Sequence, residues 1–542
     1  MRMSSLHYYD PSWIESTSET IETDVCIYGG TSGGIAAAVT VARSGLRVVV
    51  LQPGKHIGGM TSGGLGWTDF GRKHVIGGLS RSFYQQVGRH YGLAEEWQFE
   101  PGVAEAVYGR WVDEHGIDVR CCQFLDSVES DAQQLRAIVL LGGLRVTARL
   151  FMDCTYEGDL MAMAGADFHV GREANEVYGE TLNGIQVRDM HQFGLAVDPY
   201  VVEGNPASGL LPQIEDTDLT PQQGRGDHRL QAYCFRMCMT DDPTLKIEWQ
   251  KPSNYDPAQY VLATRWFNSG GGDPGNTNHS ADPVAHIRQS GVPGKFDILP
   301  NGTPGGFHKT DTNNHGALSS DFIGRSWDWP TTSYQQRESI FQAHVDYQRG
   351  LYWHLANDPA IPARVRDAYS RWGLPSDEFT DTEHWPHQLY IRECRRLIGD
   401  YVITEHDCNA VSVAPDSVGM GSYTMDSHNC TRFVQLEDGR ARVLNEGDVQ
   451  IPPTDPYPIS YRCIVPRKGQ TANLFVPVCF SASHISYGSA RMEPVFMVLG
   501  ESASLAARLC LEAGCNVQDL PYDELRPELE KAEQILALPA GA

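Results

Sequence analysis

Histidine and arginine residues in the last third of the chain are the first candidates for chemistry. His484 lies in the segment SASHISYGSARMEP, where an imidazole could accept a proton because it titrates near neutral pH. Arg491, in the same segment, could clamp a carboxylate or an oxyanion. The alternatives are a structural role for His484 and, for Arg491, an ion pair with Glu493 or with an acid elsewhere in the chain. We predict that His484 is the proton acceptor and that Arg491 binds an anionic group.

A second candidate is the charged run that contains Arg392, Glu393, Arg395 and Arg396. It is denser in cations than an ordinary helix surface. At helical spacing Arg392 and Arg396 share one face, and the other two residues lie elsewhere. We expect part of the run to brace a domain interface while one arginine, with Arg392 as the candidate, faces a substrate. A purely structural role is the alternative.

A third candidate is His428 in the segment SYTMDSH. Asp426 is close in sequence and could orient the imidazole, which would make His428 another proton acceptor. The alternative is that both residues simply belong to a loop. His484 stays the first candidate because it lies in a glycine- and serine-rich turn that leads to an apolar helix.

A glycine-rich turn near the N-terminus belongs to the element that must position these groups. An apolar strand from Val25 to Tyr28 runs through this turn into an alanine-rich helix that Gly45 can stop, and a second strand runs from Arg47 to Leu51. Such a β-α-β unit places a dinucleotide pyrophosphate at a helix N-terminus, where free N–H groups and the helix dipole favour anionic oxygen. The residues of the turn are Gly29, Gly30, Thr31, Ser32, Gly33 and Gly34.

The turn departs from the G-x-G-x-x-G pattern at its middle position. Gly29 and Gly34 fill the outer positions, and Thr31 stands between them. We expect binding to survive because the neighbouring residues keep the loop slim and a threonine hydroxyl can itself donate to phosphate. Gln52 closes the second strand, where an acid usually holds the ribose hydroxyls. Glutamine can still hydrogen-bond a ribose, so these residues leave the choice between NAD and FAD open.

Two later segments are predicted to return to this unit. From Ile117, three β segments with short polar turns end at Asp153, in a turn that can place polar groups beside a bound nucleotide. Near the C-terminus, Pro494 suits the first turn of a helix and Gly514 follows its end. Apolar residues on all sides of this helix predict that it is buried, and its N-terminus favours an anionic or electron-accepting group in front of it.

Length and composition exclude several classes of protein. The chain has 542 residues, which suggests about two or three domains. Its net charge of -25 at pH 7 argues against a nucleic-acid or anionic-membrane partner. The start lacks the apolar core of a signal peptide and no apolar stretch could span a bilayer, so we expect a cytoplasmic protein. The 13 cysteines should be mostly reduced, and their spacing predicts no metal site.

Four separated blocks of sequence resemble a known family. In chain order they are YGGTSGG with HIGGMTSGGLGWTD, then FMDCTYEGDL, HWPHQLYIRECRRLIGDY and SASHISYGSARMEP. They are similar to the FAD-dependent oxidoreductases of the glutathione-reductase-type flavoprotein superfamily, which has fumarate-reductase-like and amino-acid-oxidase-like relatives, and to its bacterial group with G-G-T-x-x-G in the first turn. The resemblance covers most of the chain except about 170 to 330.

The resemblance implies an α/β fold in which a discontinuous, Rossmann-like FAD-binding domain contains an inserted α+β substrate domain. The FAD-binding domain would comprise residues 20–165 and 461–520. The inserted domain would comprise 166–460, and 521–542 would form a C-terminal tail helix.

The resemblance also implies cofactor contacts, position by position. The glycine-rich turn would hold the pyrophosphate, Gln52 the adenosine ribose, and the turn that follows it the ribityl chain and the flavin edge. The turn after Asp153 would flank the nucleotide half, and the start of the last helix would lie against the flavin pyrimidine ring. The implied residues beyond the first turn are Gln52, Gly58, Gly59, Met60, Thr61, Asp153, Thr155, Gly158, Met492, Glu493 and Val495.

The implied activity is hydride transfer between flavin and a polar small molecule, with an alcohol, carbohydrate-like or amine carbon as the donor and an electron acceptor that the sequence does not name. The positive end of the last helix would stabilise the reduced flavin. The alternatives are a flavin-dependent reductase of an enoate-type double bond and a non-catalytic flavin-binding or electron-carrier protein. FAD is expected to be non-covalent; a covalent link through His56, which precedes Gly58, is the other option.

Overall fold

A seven-stranded sheet organises the N-terminal part of the structure. The computed structural model describes residues 6–271, 295–301, 305–314 and 316–538. The helices are α1 (Ser32–Arg43), α2 (Gly78–His90), α3 (Pro101–His115), α4 (Asp159–Met163), α5 (Asn175–Tyr178), α6 (Val261–Asn268), α7 (Tyr334–Asn357), α8 (Ala363–Ser370), α9 (Glu405–Cys408), α10 (His484–Ala490), α11 (Glu493–Ala513) and α12 (Tyr522–Lys531). Within the predicted tail, residues 539–542 lie outside the described part.

The strands of the large sheet are β1 (Thr20–Tyr28), β2 (Val48–Leu51), β3 (Asp118–Arg120), β4 (Leu125–Asp131), β5 (Gln134–Leu140), β6 (Arg145–Asp153) and β20 (Leu474–Phe475). The other strands form small sheets and are β7 (Phe168–His169), β8 (Met237–Thr240), β9 (Lys246–Ile247), β10 (Lys295–Ile298), β11 (Lys309–Asn313), β12 (Leu374–Pro375), β13 (Arg396–Leu397), β14 (Ser417–Gly421), β15 (Met425–Ser427), β16 (Thr431–Glu437), β17 (Arg440–Glu446), β18 (Val449–Ile451) and β19 (Tyr457–Ser460).

The predicted β-α-β unit is confirmed. β1 lies between β2 and β6 and is parallel to both. Its second half, up to Tyr28, is apolar and almost fully buried, as expected for a central strand covered on both faces. Thr31 caps the start of α1, and Gly45, with φ +75°, follows its end. The glycine-rich turn therefore lies where the carboxyl end of β1 meets the N-terminus of a helix.

Segments from later in the chain complete this unit. β4, β5 and β6 form the predicted antiparallel meander, and β20 pairs with β6 as a parallel strand. Helix α11 packs closely on α1 because glycines line the contact. A Cβ on Gly33 would lie 2.8 Å from the carbonyl oxygen of Phe496, and a Cβ on Gly500 would overlap the carbonyl oxygen of Gly33. This approach brings the start of α11 next to the glycine-rich turn.

Helix α11 is the one described helix whose length and hydropathy would suit a membrane span, and most of it is buried inside the protein. Gly500 lies against Gly33 of α1 and the Ser504 hydroxyl donates to the Ala37 carbonyl of α1, while Glu501 and Ser502 are also buried. Packing in the protein core therefore accounts for its apolar composition.

Two predictions of local structure are wrong. Residues 391–395 are not helical, and Arg396 begins β13, which pairs with β7. Because the stretch is not helical, Arg392 and Arg396 do not share a helix face, and their guanidinium groups reach two different acids, Asp321 and Glu173. His484 does not lie in an open turn but begins α10, where Ser483 caps the helix by accepting a hydrogen bond from the backbone N–H of Ser486.

The buried carboxyl of Glu501 should make stability depend on pH. Burial raises the pKa of Glu501 from its ordinary 4.5 to about 7, although hydrogen bonds from the Leu79 N–H and from Gln534 lower it. Because the pKa is raised on folding, its contribution to stability is complete below about pH 4.5 and is lost as pH rises through about 7. We expect Glu501→Gln to match the wild-type melting temperature at low pH and to exceed it above pH 7. Melting curves across this range test the expectation, and a constant difference would contradict it.

Candidate active site

Glycines at the end of β1 make room for a close backbone approach. Gly29 has φ +106°, and a Cβ there would lie 2.6 Å from the carbonyl carbon of Cys154 and 2.7 Å from the amide nitrogen of Thr155. A Cβ on Gly34 would overlap the carbonyl oxygen of Gly29. The turn and the end of β6 therefore meet only because these positions lack side chains, which is the backbone arrangement that a pyrophosphate needs.

Thr31 and Gln52 both bond to backbone near this turn. The Thr31 hydroxyl accepts from the Gly34 N–H at 3.2 Å and donates to the Cys154 carbonyl at 2.7 Å. The hydroxyl thus fixes the turn to β6. The sequence analysis had suggested that it could donate to a phosphate, but its hydrogen is directed at the Cys154 carbonyl. The side-chain oxygen of Gln52 accepts from the Gly30 N–H at 2.7 Å. The sequence prediction that Gln52 holds ribose would therefore depend on its amide nitrogen.

A second glycine turn lies beside the first. Gly58 and Gly59 have φ +93° and +58°, and the Gly58 N–H donates to the Gly30 carbonyl at 2.7 Å. The hydroxyl of Tyr156 accepts from the Met60 N–H at 2.9 Å. Since Tyr156 follows β6, three chain segments meet at one edge of the sheet.

Glu493 joins these segments to the start of α11. Its carboxyl group accepts from Ser32 at 2.5 Å, Thr61 at 2.9 Å and Tyr156 at 2.7 Å. Burial raises the pKa of Glu493, and the three hydrogen bonds partly offset that rise. Glu493, the first residue of α11, thus links that helix to the first glycine turn, the second glycine turn and the segment after β6. We call these two glycine turns, the 153–158 turn and the start of α11 the cradle.

Asp153, Thr155 and Gly158 shape their own turn. Asp153 accepts from the amide and hydroxyl of Thr155 at 3.1 and 2.6 Å and from the Met161 N–H at 2.8 Å. Burial raises the pKa of Asp153 to about 6 despite these hydrogen bonds. The Thr155 hydroxyl in turn accepts from the Gly158 N–H at 3.1 Å. These side chains hold the turn against Gly29, so their effect on a nucleotide would be indirect.

A cavity of about 510 Å³ is lined by residues 67–72, shortly after the second glycine turn in the chain. Two predicted catalytic residues, Arg392 and His428, line it, whereas His484 and Arg491 do not. Arg491 lies next to it, since it donates to the lining residue Tyr390 at 3.1 Å. A cavity of this size suits a small-molecule substrate.

His428 has a buried carboxylate behind it. Its Nδ1 lies 2.9 Å from Oδ2 of Asp321 and 3.2 Å from the amide nitrogen of Asn314, and its Nε2 lies 3.5 Å from Oδ2 of Asp426. Burial alone would raise the pKa of Asp321, but Arg392 and His428 lower it below its usual range. Asp321 is therefore an anion that favours a proton on Nδ1, and the other nitrogen, Nε2, lies on the cavity side next to Asp426.

His484 lies on the other side of β15. Its Nδ1 is 2.8 Å from Glu393 and its Nε2 is 2.9 Å from the hydroxyl of Ser427. Ser427 contacts His484, whereas its neighbours Asp426 and His428 line the cavity. The imidazole that faces the cavity is that of His428, and both ring nitrogens of His484 have partners within the protein.

The three arginines of the charged run from Arg392 to Arg396 form buried ion pairs. Arg392 donates to Asp321 at 2.9 Å, Arg395 to Asp159 at 2.6 Å, and Arg396 to Glu173 at 2.7 Å. Each of the three arginines therefore reaches a different acid. Of the run, only Arg392 lines the described cavity, so the bracing role and the cavity-facing role fall to different residues.

A family model described as FAD dependent oxidoreductase matches residues 24–529. The chain belongs to this family. The match includes both glycine turns, the cavity wall and α11, so it covers nearly all of the site described above. FAD is therefore the cofactor, and the protein is an FAD-dependent oxidoreductase.

Solved flavoenzyme structures resemble only part of the chain. THI4 from Thermovibrio ammonificans is 20% identical, with 28% of this chain and 66% of that chain covered and a TM-score of 0.23. L-proline dehydrogenase from P.horikoshii is 12% identical, with 29% and 59% covered and a TM-score of 0.24. CabE, an aromatic hydroxylase from angucycline biosynthesis, is 15% identical with a TM-score of 0.23; 28% of this chain matches, and the match spans about a third (35%) of CabE. No curated protein sequence matches the chain.

The cradle fits an FAD pyrophosphate. Gly29 and Gly34 let the turn lie directly against β6, and the N-terminus of α1, which follows this turn, offers N–H groups and a positive dipole end. Gly58 and Gly59 add a second slim turn at the same edge. The residues that would hold the nucleotide are thus those of the two glycine turns, with Ser32, Thr61 and Glu493 fixed behind them.

We expect the FAD to be bound without a covalent link to His56. Its Nδ1 lies 2.8 Å from Glu105 and its Nε2 3.2 Å from Asp381, and its ring stacks on His387 at 3.9 Å. Burial alone would lower the pKa of His56, but the two carboxylates raise it, and a protonated imidazole is not a nucleophile. Acid precipitation should leave all the yellow colour in the supernatant. A yellow pellet that washing does not decolour would contradict this.

The sequence analysis did not identify three charged residues of the candidate site, namely Asp69, Arg236 and Asp321. Asp321 pairs with Arg392 and His428, and Arg236 bonds Asp69 at 3.2 Å. Asp321 and Arg236 lie in the stretch that resembles nothing familiar, and no local spacing links any of the three to its partner. A sequence pattern reveals partners that are close along the chain, and these are not.

Proposed function

We propose that the chain is an FAD-dependent dehydrogenase or oxidase that removes a hydride from an alcohol or amine carbon of a polar small molecule. The observation that carries this proposal is the position of His428, which faces the cavity with the buried carboxylate of Asp321 behind it. Oxidation of such a carbon releases a proton from O–H or N–H as the hydride departs, so the reaction needs a proton acceptor at this place.

The roles of the side chains follow from their contacts. FAD supplies the hydride acceptor when it is bound. His428 takes the substrate proton at Nε2, and Asp321 holds the imidazole in the tautomer that can do so and stabilises the imidazolium that results. Arg392 fixes Asp321 from the other side at 2.9 Å, which makes it a positioning residue.

We also propose the finer fold that the resemblance implies. In a glutathione-reductase-type arrangement, residues 166–460 would be a substrate domain inserted into the FAD-binding domain. This is supported by β20, which returns to pair with β6, and by α11, which packs on α1. It is also supported by the wall of the cavity, because Arg236, Arg392 and His428 all come from the proposed insertion.

Anaerobic addition of candidate donors to the purified yellow protein tests the proposed function. Bleaching of the flavin bands by an alcohol or an amine is expected, and reoxidation in air then separates an oxidase from a dehydrogenase. Reoxidation of dithionite-reduced flavin by an enoate, with no bleaching by any donor, would favour the reductase alternative. If only dithionite reduced the flavin and no enoate reoxidised it, the result would favour the third alternative, a non-catalytic electron carrier.

A further inference from the structure

Cations on the cavity wall already have carboxylate partners. Arg236 donates to Asp311 through two bonds of 2.6 and 2.9 Å and to Asp69 at 3.2 Å. Arg392 donates to Asp321, which is fully buried. A substrate anion that approached either arginine would have to compete with a carboxylate that is fixed within bonding distance.

The two other cations near the cavity are paired in the same way. Arg491 lies 3.3 Å from Asp426, and Nδ1 of His191 lies 2.7 Å from Asp448. Burial alone would lower the pKa of His191, but the nearby Asp448 raises it and so favours the protonated imidazole. Charges therefore nearly cancel across the described wall.

Among the described residues that line the cavity, the exposed charged side chains lie at its rim. Arg72 lies there exposed, and so does Asp455, which has the opposite charge. Exposed charges are screened by water and salt, and these two offset each other. The rim therefore does not give the cavity a surplus of either sign.

Aromatic rings supply the rest of the recognition surface. Trp67, Phe70, Tyr390 and Tyr423 line the cavity, and the hydroxyl of Tyr423 donates to Asp69 at 2.9 Å. Arg392 lies 4.3 Å from the ring centroid of Tyr390, and Lys73 lies 4.6 Å from that of Phe70, so a cation already covers one face of each of these rings. Trp67 and Tyr423 add apolar surface beside hydrogen-bonding groups, which suits a molecule that has C–H faces and hydroxyls.

We infer that the substrate is an uncharged polyhydroxylated molecule, a polyol or a sugar, and not a carboxylate or an amine that carries a charge. The inference rests on the proposed function and names its substrate class. A substrate carboxylate would be repelled by the like charges of Asp69 and Asp426. An ammonium group would have to compete with Arg236 and Arg491, which already form ion pairs with these two acids. A neutral hydroxyl can share the bonds of each pair without separating it.

Compounds that differ at a single carbon test the inference. D-sorbitol, D-gluconate and 1-amino-1-deoxy-D-sorbitol form one set, and D-glucose, D-glucuronate and D-glucosamine form a ring-shaped set. With the FAD-loaded enzyme under anaerobic conditions, we expect a neutral member to bleach the flavin at a concentration at least about tenfold lower than its charged counterparts. Bleaching by charged members alone would overturn the inference and leave the proposed function standing. If no donor of any class bleached the flavin, the proposed function would fail and the inference with it.

A charge-removing variant tests the cause of the preference. Asp69→Asn keeps the shape and the Tyr423 contact but removes one carboxylate from Arg236. We expect gluconate to gain about tenfold in affinity relative to sorbitol, measured by titration of the flavin spectrum. Asp455→Asn removes the same charge at the exposed rim and should leave the ratio within about twofold. Equal shifts in both variants, or none in Asp69→Asn, would contradict the pairing argument.

Discussion

Replacing His428 by asparagine is expected to leave FAD bound and to slow reduction of the flavin by its substrate by about 10²–10⁴-fold. Asparagine can still accept from a hydroxyl, but it cannot take up the proton that leaves with the hydride. The cradle contacts lie elsewhere, so the amount of bound FAD should not change. Anaerobic stopped-flow spectroscopy measures the limiting rate, and the absorbance of released flavin gives the cofactor content.

His484→Asn is the matched comparison for this prediction. His484 contacts Glu393 and Ser427 and does not line the described cavity, so its replacement should lower stability more than it lowers the limiting rate. If the rate collapsed in His484→Asn and persisted in His428→Asn, the proton acceptor would be His484, as the sequence suggested.

The parts of the fold that could be predicted are those with local causes. The strand that ends at Tyr28, the cap at Thr31 and the end of α1 before Gly45 each follow from neighbouring residues and the preferences of helix termini. The helix that begins at Glu493 was predicted for the same reason, since Pro494 and Gly514 mark its two ends.

The active site depends on partners that are distant along the chain. Asp321 lies 107 residues before His428, and Glu493 lies 461 residues after Ser32. Which histidine faces the cavity then depends on how β15 packs against α10, and that strand is too short to give a sequence signal. The candidate histidines could therefore be found in the sequence, but the choice between them required the arrangement of β15 against α10 and the cavity.

Replacing Gly29 by alanine is expected to abolish retention of FAD during purification. The new Cβ would lie within 2.8 Å of three backbone atoms at Cys154 and Thr155, and a backbone cannot move aside as a flexible side chain does. The turn would have to retreat from β6, which would break the Thr31 bond to Cys154 and displace the N–H groups that should hold the pyrophosphate. Overpacking of this kind together with a φ of +106° should weaken FAD binding by at least about a hundredfold.

Gly45→Ala separates the steric clash from backbone strain. Gly45 also has a positive φ, of +75°, but a Cβ there would have no atom within 4 Å. Its replacement should cost about 1–2 kcal/mol of stability through strain alone and keep one FAD per chain. The ratio of flavin to protein absorbance and the melting temperature distinguish the two variants. If Gly29→Ala bound FAD as Gly45→Ala does, the close contact between the turn and β6 could not be what shapes the cofactor site.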